Sequence, residues 1–189
     1  MKNILIISFI LFCCLGFTQQ QINTLMQEQT QYTDSDTLYW SKERKLTWDD
    51  FHGVPDTTTI GMAGTSSGFW FRSFYTTDTT LEFVVSTIFF KKHSWVKTNW
   101  DKTAYALNHE QRHFDITEVY ARKLRQAFKS YKLNKATVIK DCDKFYNSLR
   151  IERDKMQAVY DMETKHSLNI SKQKEWDAKI DKWLQEYEH

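Results

Sequence analysis

The stretch ALNHEQRHFDITEVYARKLRQAF, residues 106–128, decides the fold, because its apolar residues and two histidines recur every three to four positions. This period places them on one face of an α-helix. The face consists of Ala106, His109, His113, Ile116, Tyr120, Leu124 and Phe128. Runs with the same period follow at residues 142–160 and 176–187, and no glycine or proline interrupts them. The sequence therefore predicts a helical half that begins at about Lys102.

The region before this half has the pattern of a β-sheet. All five glycines and the single proline precede residue 69, and two segments, Phe69–Tyr75 and Leu81–Phe90, are dense in aromatic and β-branched residues. The polar residues 76–80 between them predict a hairpin turn. We therefore expect an α+β fold, in which a small antiparallel sheet is followed by helices. A single domain over residues 38–189 suits this length.

The N-terminus has the pattern of a secretory signal peptide. A short cationic start leads into an apolar stretch, Ile4–Phe17, and then into polar residues. Gly16 and Thr18 suit the small positions before a cleavage point, so residues 1–18 are predicted as the signal peptide. The apolar stretch is shorter than the about 20 residues of a membrane span. We therefore expect no stable membrane insertion after cleavage.

The residues around the cleavage point also bear on the destination of the chain. Cys13 and Cys14 follow Phe12 and Cys13 rather than a small residue, which argues against a lipoprotein. Only Cys142 remains after cleavage, so no internal disulfide is available. Residues 19–37, rich in Gln and Thr, are predicted to form a flexible arm. The expected location is the periplasm or the cell exterior.

The charge balance narrows the class of partner. The chain has 26 Lys and Arg against 24 Asp and Glu, a formal net charge of +2. Nucleic-acid binding usually requires a strong excess of basic residues. We therefore expect no nucleic-acid partner, and look first for a polypeptide or a small molecule.

Residues 109–113 read His-Glu-Gln-Arg-His and fit the motif H-E-x-x-H. Positions i and i+4 share one face of a helix, so His109 and His113 can bind one zinc ion from a rigid backbone. Glu110 lies beside that ion and is placed to accept a proton from a water molecule that the ion activates. The motif predicts a catalytic zinc site, with Glu110 as general base.

A catalytic zinc ion normally has three protein ligands and one open position. The motif of the metzincins continues with glycine and then histidine, but this chain has Ile116 and Val119 there. The third ligand must therefore come from further away. The remaining histidines are His52, His93, His166 and His189.

Among these, His166 follows the second predicted helix. If the two helices form an antiparallel hairpin that turns near Asn134, position 113 faces position 155, and His166 lies about 16 Å further along at about 1.5 Å per residue. The chain must then bend back for His166 to reach the metal. Asp161 and Glu163 are the alternative ligands.

Several segments resemble a bacterial family of predicted secreted zinc-dependent proteases, which is also catalogued as a domain of unknown function. The resemblance spans roughly Leu38 to Ile180. It rests on the segments Leu46–Gly53, Ser94–Val96, Leu107–Ile116 and Ala121-Arg122, and on Tyr160-Asp161, Thr164, His166-Ser167 and Trp176. The family's order of tyrosine-aspartate, threonine and histidine matches the last group, which implies His166 as the third ligand. The family often has glycine where this chain has Arg112 and Ser167.

These observations predict an exported zinc-dependent metalloprotease, with a zincin-like domain that hydrolyses peptide bonds in a polypeptide substrate. The alternative is an envelope module that binds zinc or a partner and catalyses nothing. Asp115 is a candidate to orient a ligand imidazole, or else a solvated carboxylate. Tyr160 is a candidate oxyanion donor, or else a core residue.

Overall fold

The computed structural model describes residues 36–77 and 79–188. The predicted signal peptide and residues 19–35 of the predicted arm lie outside the described residues. Among the described residues, the strands are β1 Thr37–Tyr39, β2 Ala63–Gly64, β3 Ser67–Thr77, β4 Thr80–Phe90 and β5 Trp95–Val96. The α-helices are α1 Ala104–Lys129, α2 Val138–Thr164 and α3 Ile170–Glu186. Short 3₁₀ turns cover Trp48–Asp50 and Lys91–His93.

The strands form two antiparallel sheets. β1, β4 and β3 make a three-stranded sheet in that order, while β2 pairs with β5. The predicted hairpin is β3–β4, with Phe69 opposite Thr87 and Phe71 opposite Val85. Both strands extend slightly beyond the segments predicted from composition, so the connecting turn is shorter than expected. The α+β class is confirmed.

The three helices follow the sheet, as the periodicity predicts. The Thr103 side chain accepts a hydrogen bond from the Ala106 amide at the start of α1, and Asn169 does the same for α3. These side chains satisfy backbone donors that a helix leaves unpaired at its N-terminus. α2 ends at Thr164, and the next residue, Lys165, has a φ of 52°, in the left-handed region. No helix in the described part of the chain is long and apolar enough to cross a membrane.

Helix α1 lies between the sheet and the other two helices. Its apolar face and the inner face of the β3–β4 hairpin form the larger core, which α2 and α3 complete. The buried residues of that core are Phe69, Val85, Ile116, Tyr120, Ala121, Leu124, Phe128, Cys142, Tyr160, Trp176 and Ile180. A second core forms where Phe114 meets Phe89, Phe51 and Leu46. Because α1 contributes to both cores, its orientation is fixed from several sides.

The central position of α1 predicts the stability cost of a core substitution. Leu124 is fully buried in the larger core, so Leu124→Ala should lower the free energy of unfolding by about 2–5 kcal/mol. Ile151, on α2, is 47% exposed, so Ile151→Ala should change the free energy of unfolding by less than about 0.5 kcal/mol. Urea denaturation of both variants gives the comparison. Equal effects would contradict the assignment of the core to this face of α1.

Candidate metal site

The H-E-x-x-H motif lies inside α1, as predicted. His109 and His113 are one turn apart, with ring centroids 4.9 Å from each other. Their side chains are 5% and 12% exposed. Their Nε2 atoms lie 3.3 and 3.0 Å from Oδ1 of Asp161, which comes from α2. The ligand atoms of these three residues lie within 4.8 Å of one another. Helices α1 and α2 therefore bring three potential metal ligands together.

The Nδ1 atom of His113 faces a glutamine of α2. Oε1 of Gln157 is 2.6 Å from it. The Gln157 Nε2 atom donates to the backbone carbonyl of His113, at 2.8 Å, and also contacts Thr117. A carbonyl oxygen only accepts hydrogen bonds, so this contact fixes the orientation of the amide. The Gln157 oxygen must therefore face the imidazole, and Nδ1 of His113 carries the proton.

The same arrangement occurs at His109, with a glutamine from α3. Oε1 of Gln173 is 2.9 Å from Nδ1 of His109. Gln173 Nε2 donates to Oδ1 of Asp177 at 2.9 Å and to the Tyr160 hydroxyl at 2.7 Å. Because a carboxylate only accepts, this amide is also fixed, and Nδ1 of His109 is a donor. The Tyr160 ring stacks on His109 with centroids 4.7 Å apart.

Both histidines therefore direct Nε2 at the same carboxylate oxygen. In a neutral imidazole protonated at Nδ1, Nε2 carries a lone pair. Two lone pairs and a carboxylate oxygen repel each other unless a proton or a metal cation lies between them. Without metal, burial opposes the charge on His113, but Asp161 outweighs this and raises the pKa of His113 to about 9. Burial likewise opposes the charge on Asp161, and the two histidines lower its pKa.

The donor set fits a zinc ion. Zinc prefers imidazole nitrogen and carboxylate oxygen in a tetrahedral arrangement, and ligand atoms about 2.1 Å from it lie about 3.4 Å from each other. Oδ1 of Asp161 lies 3.0 Å from Nε2 of His113, 3.3 Å from Nε2 of His109 and 3.4 Å from Nδ1 of His166. The two distances from Asp161 Oδ1 to His109 and His113 are therefore close to an edge of a tetrahedral zinc site, whereas His166 lies outside the group of three residues whose ligand atoms are all within 4.8 Å of one another.

His166 reaches this cluster because the chain reverses immediately after α2. Lys165, His166 and Ser167 have φ values of 52°, 50° and 71°, a region that costs an ordinary residue roughly 1–3 kcal/mol. The Tyr105 hydroxyl donates to the Ser167 carbonyl at 2.6 Å and ties this turn to α1. The His166 side chain is 50% exposed. The required bend is therefore present, and it places Nδ1 of His166 beside Asp161.

Glu110 faces a cavity of about 350 Å³ that also contains the three histidines and Asp161. The residue is 5% exposed, and its Oε2 accepts a hydrogen bond from the Thr65 hydroxyl at 2.7 Å. Residues 60–65 form one wall of the cavity, and the end of α2 with the following turn forms the other. The carboxylate predicted as general base and the candidate ligands therefore open onto one space.

Other candidates from the sequence lie elsewhere or have other roles. Glu163 accepts a hydrogen bond from the Trp176 indole at 2.8 Å, and it is absent from the cavity wall. Asp115 is fully buried, and it accepts from the Trp40 indole, Gln111 and Arg112 rather than from an imidazole. Both interpretations of Asp115 were therefore wrong.

Tyr160 is a core residue. Its side chain is fully buried. Its hydroxyl donates to Gln173 Oε1 or to the backbone carbonyl of His109. Thr65, Gln157 and Gln173 were not predicted from the sequence, because neutral polar residues far apart in the chain have no characteristic spacing.

The model of a family described as bacterial protein of unknown function (DUF922) matches residues 84–167. This segment begins within β4 and contains β5, α1 and α2, with His109, His113, His166, Glu110 and Asp161; it excludes Thr65 and helix α3. The description of the family names no activity. No curated protein and no solved structure matches the chain significantly.

The left-handed turn predicts a stabilising substitution. Glycine has no steric penalty at the φ of 71° found at Ser167, so Ser167→Gly should raise the free energy of unfolding by about 1 kcal/mol. The control is Ser148→Gly, inside helix α2, which should lower the free energy of unfolding by about 0.5 kcal/mol. Thermal or urea unfolding of both variants measures the difference. A destabilised Ser167→Gly variant would contradict the turn geometry.

Proposed function

We propose that the protein is an exported zinc-dependent hydrolase that cleaves peptide bonds. The observation that carries the proposal is the convergence of His109, His113 and Asp161 at a cavity that also contains Glu110. Two imidazoles with fixed tautomers and one carboxylate oxygen form a zinc-binding group, and a second carboxylate lies beside it. This combination suits metal-assisted hydrolysis.

In this proposal His109 and His113 hold the ion through Nε2, and Asp161 is the nearest third ligand. His166, which the family resemblance implies as third ligand, is a further candidate because its Nδ1 is 3.4 Å from Asp161 Oδ1. An ion with three of these four ligands keeps one position for water, as a catalytic site requires. When bound, zinc lowers the pKa of a coordinated water to about 7 and polarises a carbonyl group.

Glu110 performs the proton transfers. Its carboxylate accepts a proton from the attacking water and gives it to the leaving amine. The Thr65 hydroxyl, which donates to Oε2 at 2.7 Å, holds this carboxylate toward the cavity and leaves Oε1 for the water. Since only one oxygen is held, the other keeps the freedom to receive and release a proton.

The form of the cavity supports a polypeptide as substrate. One wall is the segment 60–65, which includes the short strand β2. An extended peptide can align with such a strand through main-chain hydrogen bonds. Gly64 has no side chain above this wall, and a Cβ there would lie 3.0 Å from the Trp95 ring. That contact leaves no room for a side chain, and Gly64 lines the cavity with its backbone.

The direct test replaces the proposed base. Glu110→Gln keeps the shape and the Thr65 contact but cannot accept a proton, so kcat should fall by a factor of about 10²–10⁴ while zinc stays bound. The control Glu152→Gln, at an exposed position of α2, should retain wild-type activity. The measurement is hydrolysis of an unfolded protein such as casein, together with zinc content. Full activity in Glu110→Gln would exclude this mechanism.

One observation favours a second function, a zinc-binding module without catalysis. The Nδ1 atom of His166 lies 3.4 Å from Asp161 Oδ1 but outside the three-residue group; if this half-exposed side chain moved onto the ion as a fourth ligand, no position for water would remain. Such a closed site stabilises a fold rather than activating a substrate. If the zinc-loaded wild-type protein binds zinc tightly but hydrolyses no peptide, this second function is favoured.

Comparison of two ligand variants separates these possibilities. If Asp161 is the third ligand of a catalytic site, Asp161→Ala should weaken zinc binding by more than about 100-fold. Loss of a residue that only hydrogen-bonds to a metal ligand weakens binding by less than this. His166→Ala should weaken it far less, because that side chain is half exposed. Competition with a chromophoric chelator measures both. The reverse order would make His166 the third ligand, and equally large losses would indicate the closed site.

A further inference from the structure

We propose that Gln157 and Gln173 position the two imidazoles for metal binding, and that the metal site is therefore completed by helix α3, beyond the segment that the family model matches. This inference rests on the zinc site of the proposed function, but not on catalysis. Both glutamines act through the histidines and do not themselves touch the metal.

Gln157 holds His113 at two points. Its amide oxygen accepts from Nδ1 of the ring, and its amide nitrogen donates to the backbone carbonyl of the same residue, at 2.6 and 2.8 Å. One side chain of α2 thus links the imidazole to its own backbone. Rotation of the ring about its side-chain bonds would break the first contact, so Nε2 stays directed at Asp161.

Gln173, on α3, holds His109. Its amide is anchored by Asp177, one turn further along α3. Asp177 in turn accepts hydrogen bonds from Asn108 and Arg112 of α1, each at 3.1 Å. These hydrogen bonds link Asn108 and Arg112 of α1 through Asp177 and Gln173 of α3 to His109, which is again on α1. Gln173 is fully buried, so water cannot replace its contact without opening the packing between these helices.

Both positioning groups are neutral. Metal-bound histidines often donate their second N–H to a carboxylate, but a carboxylate in place of either amide would meet a new repulsion. At position 157 its second oxygen would face the His113 carbonyl, and at position 173 it would face Asp177. An amide accepts from the imidazole and donates to the neighbouring oxygen at once. The surroundings therefore select glutamine at both positions.

The experiment measures zinc affinity in Gln157→Met and Gln173→Met. Methionine preserves length and removes the amide contacts, so each variant should bind zinc about 10–100-fold more weakly. Gln185→Met, at an exposed position of the same helix as Gln173, is the control and should bind as wild type. Circular dichroism and thermal unfolding of the metal-free proteins show whether the fold persists. Wild-type affinity in both glutamine variants would overturn the inference.

A second measurement does not depend on the variants folding. In the zinc-loaded wild-type protein, long-range ¹H–¹⁵N correlation spectra should show both motif histidines protonated at Nδ1 and metal-bound at Nε2. The opposite tautomer at either histidine would overturn the inference. Zinc affinities and tautomers as expected in a protein that hydrolyses no peptide would support the inference and remove the catalytic proposal. Absence of zinc binding would remove both.

Discussion

The structure depends on one constraint: helix α1 is buried along most of its length, so each of its buried polar residues must find a hydrogen-bond partner. Glu118 is 3% exposed and accepts hydrogen bonds from Thr87 of β4 and from Arg122 and Arg125 of its own helix. The side chain of Gln111 accepts from the Leu46 amide. An unpaired polar group in such a place costs about 1–3 kcal/mol. The two motif histidines obey the same constraint with glutamines of α2 and α3.

This constraint connects folding to the proposed chemistry. The contacts that satisfy Nδ1 of His109 and His113 leave Nε2 of each ring directed at Asp161. Apolar residues at positions 109 and 113 would pack equally well. The histidine pair, with a carboxylate between the two lone pairs, lowers its energy when a cation is present. The fold therefore supports a metal site at a position where a purely structural core would avoid polar groups.

Much of the architecture can be predicted from the sequence, because local residue patterns determine the helices and the main hairpin. The three-to-four-residue period predicts the helices, and the aromatic segments predict the β3–β4 hairpin, since each depends on which face of an element is buried. The motif places His109, Glu110 and His113 on one helix because their spacing matches one turn. The antiparallel estimate placed position 113 opposite 155, close to the observed partner Gln157.

The remainder depends on tertiary contacts that no local pattern encodes. The left-handed turn after α2 needs backbone angles that neither Lys165 nor His166 prefers. The link between Thr65 and Glu110 joins residues 45 positions apart. Asp115 has the spacing of a solvated helix residue, yet the Trp40 indole, 75 positions away in sequence, covers and binds it. Such pairs are determined only when the sheet, α1 and the other helices pack together.

The central claim is that the converging side chains of α1 and α2 form a metal site. The most direct measurement is elemental analysis of the purified protein after zinc addition and exhaustive dialysis without chelator. The proposed site predicts about one zinc per chain in the wild-type protein. A protein that retains no zinc would contradict the account, and the two histidines would then be buried core residues that pair with Asp161 by sharing protons.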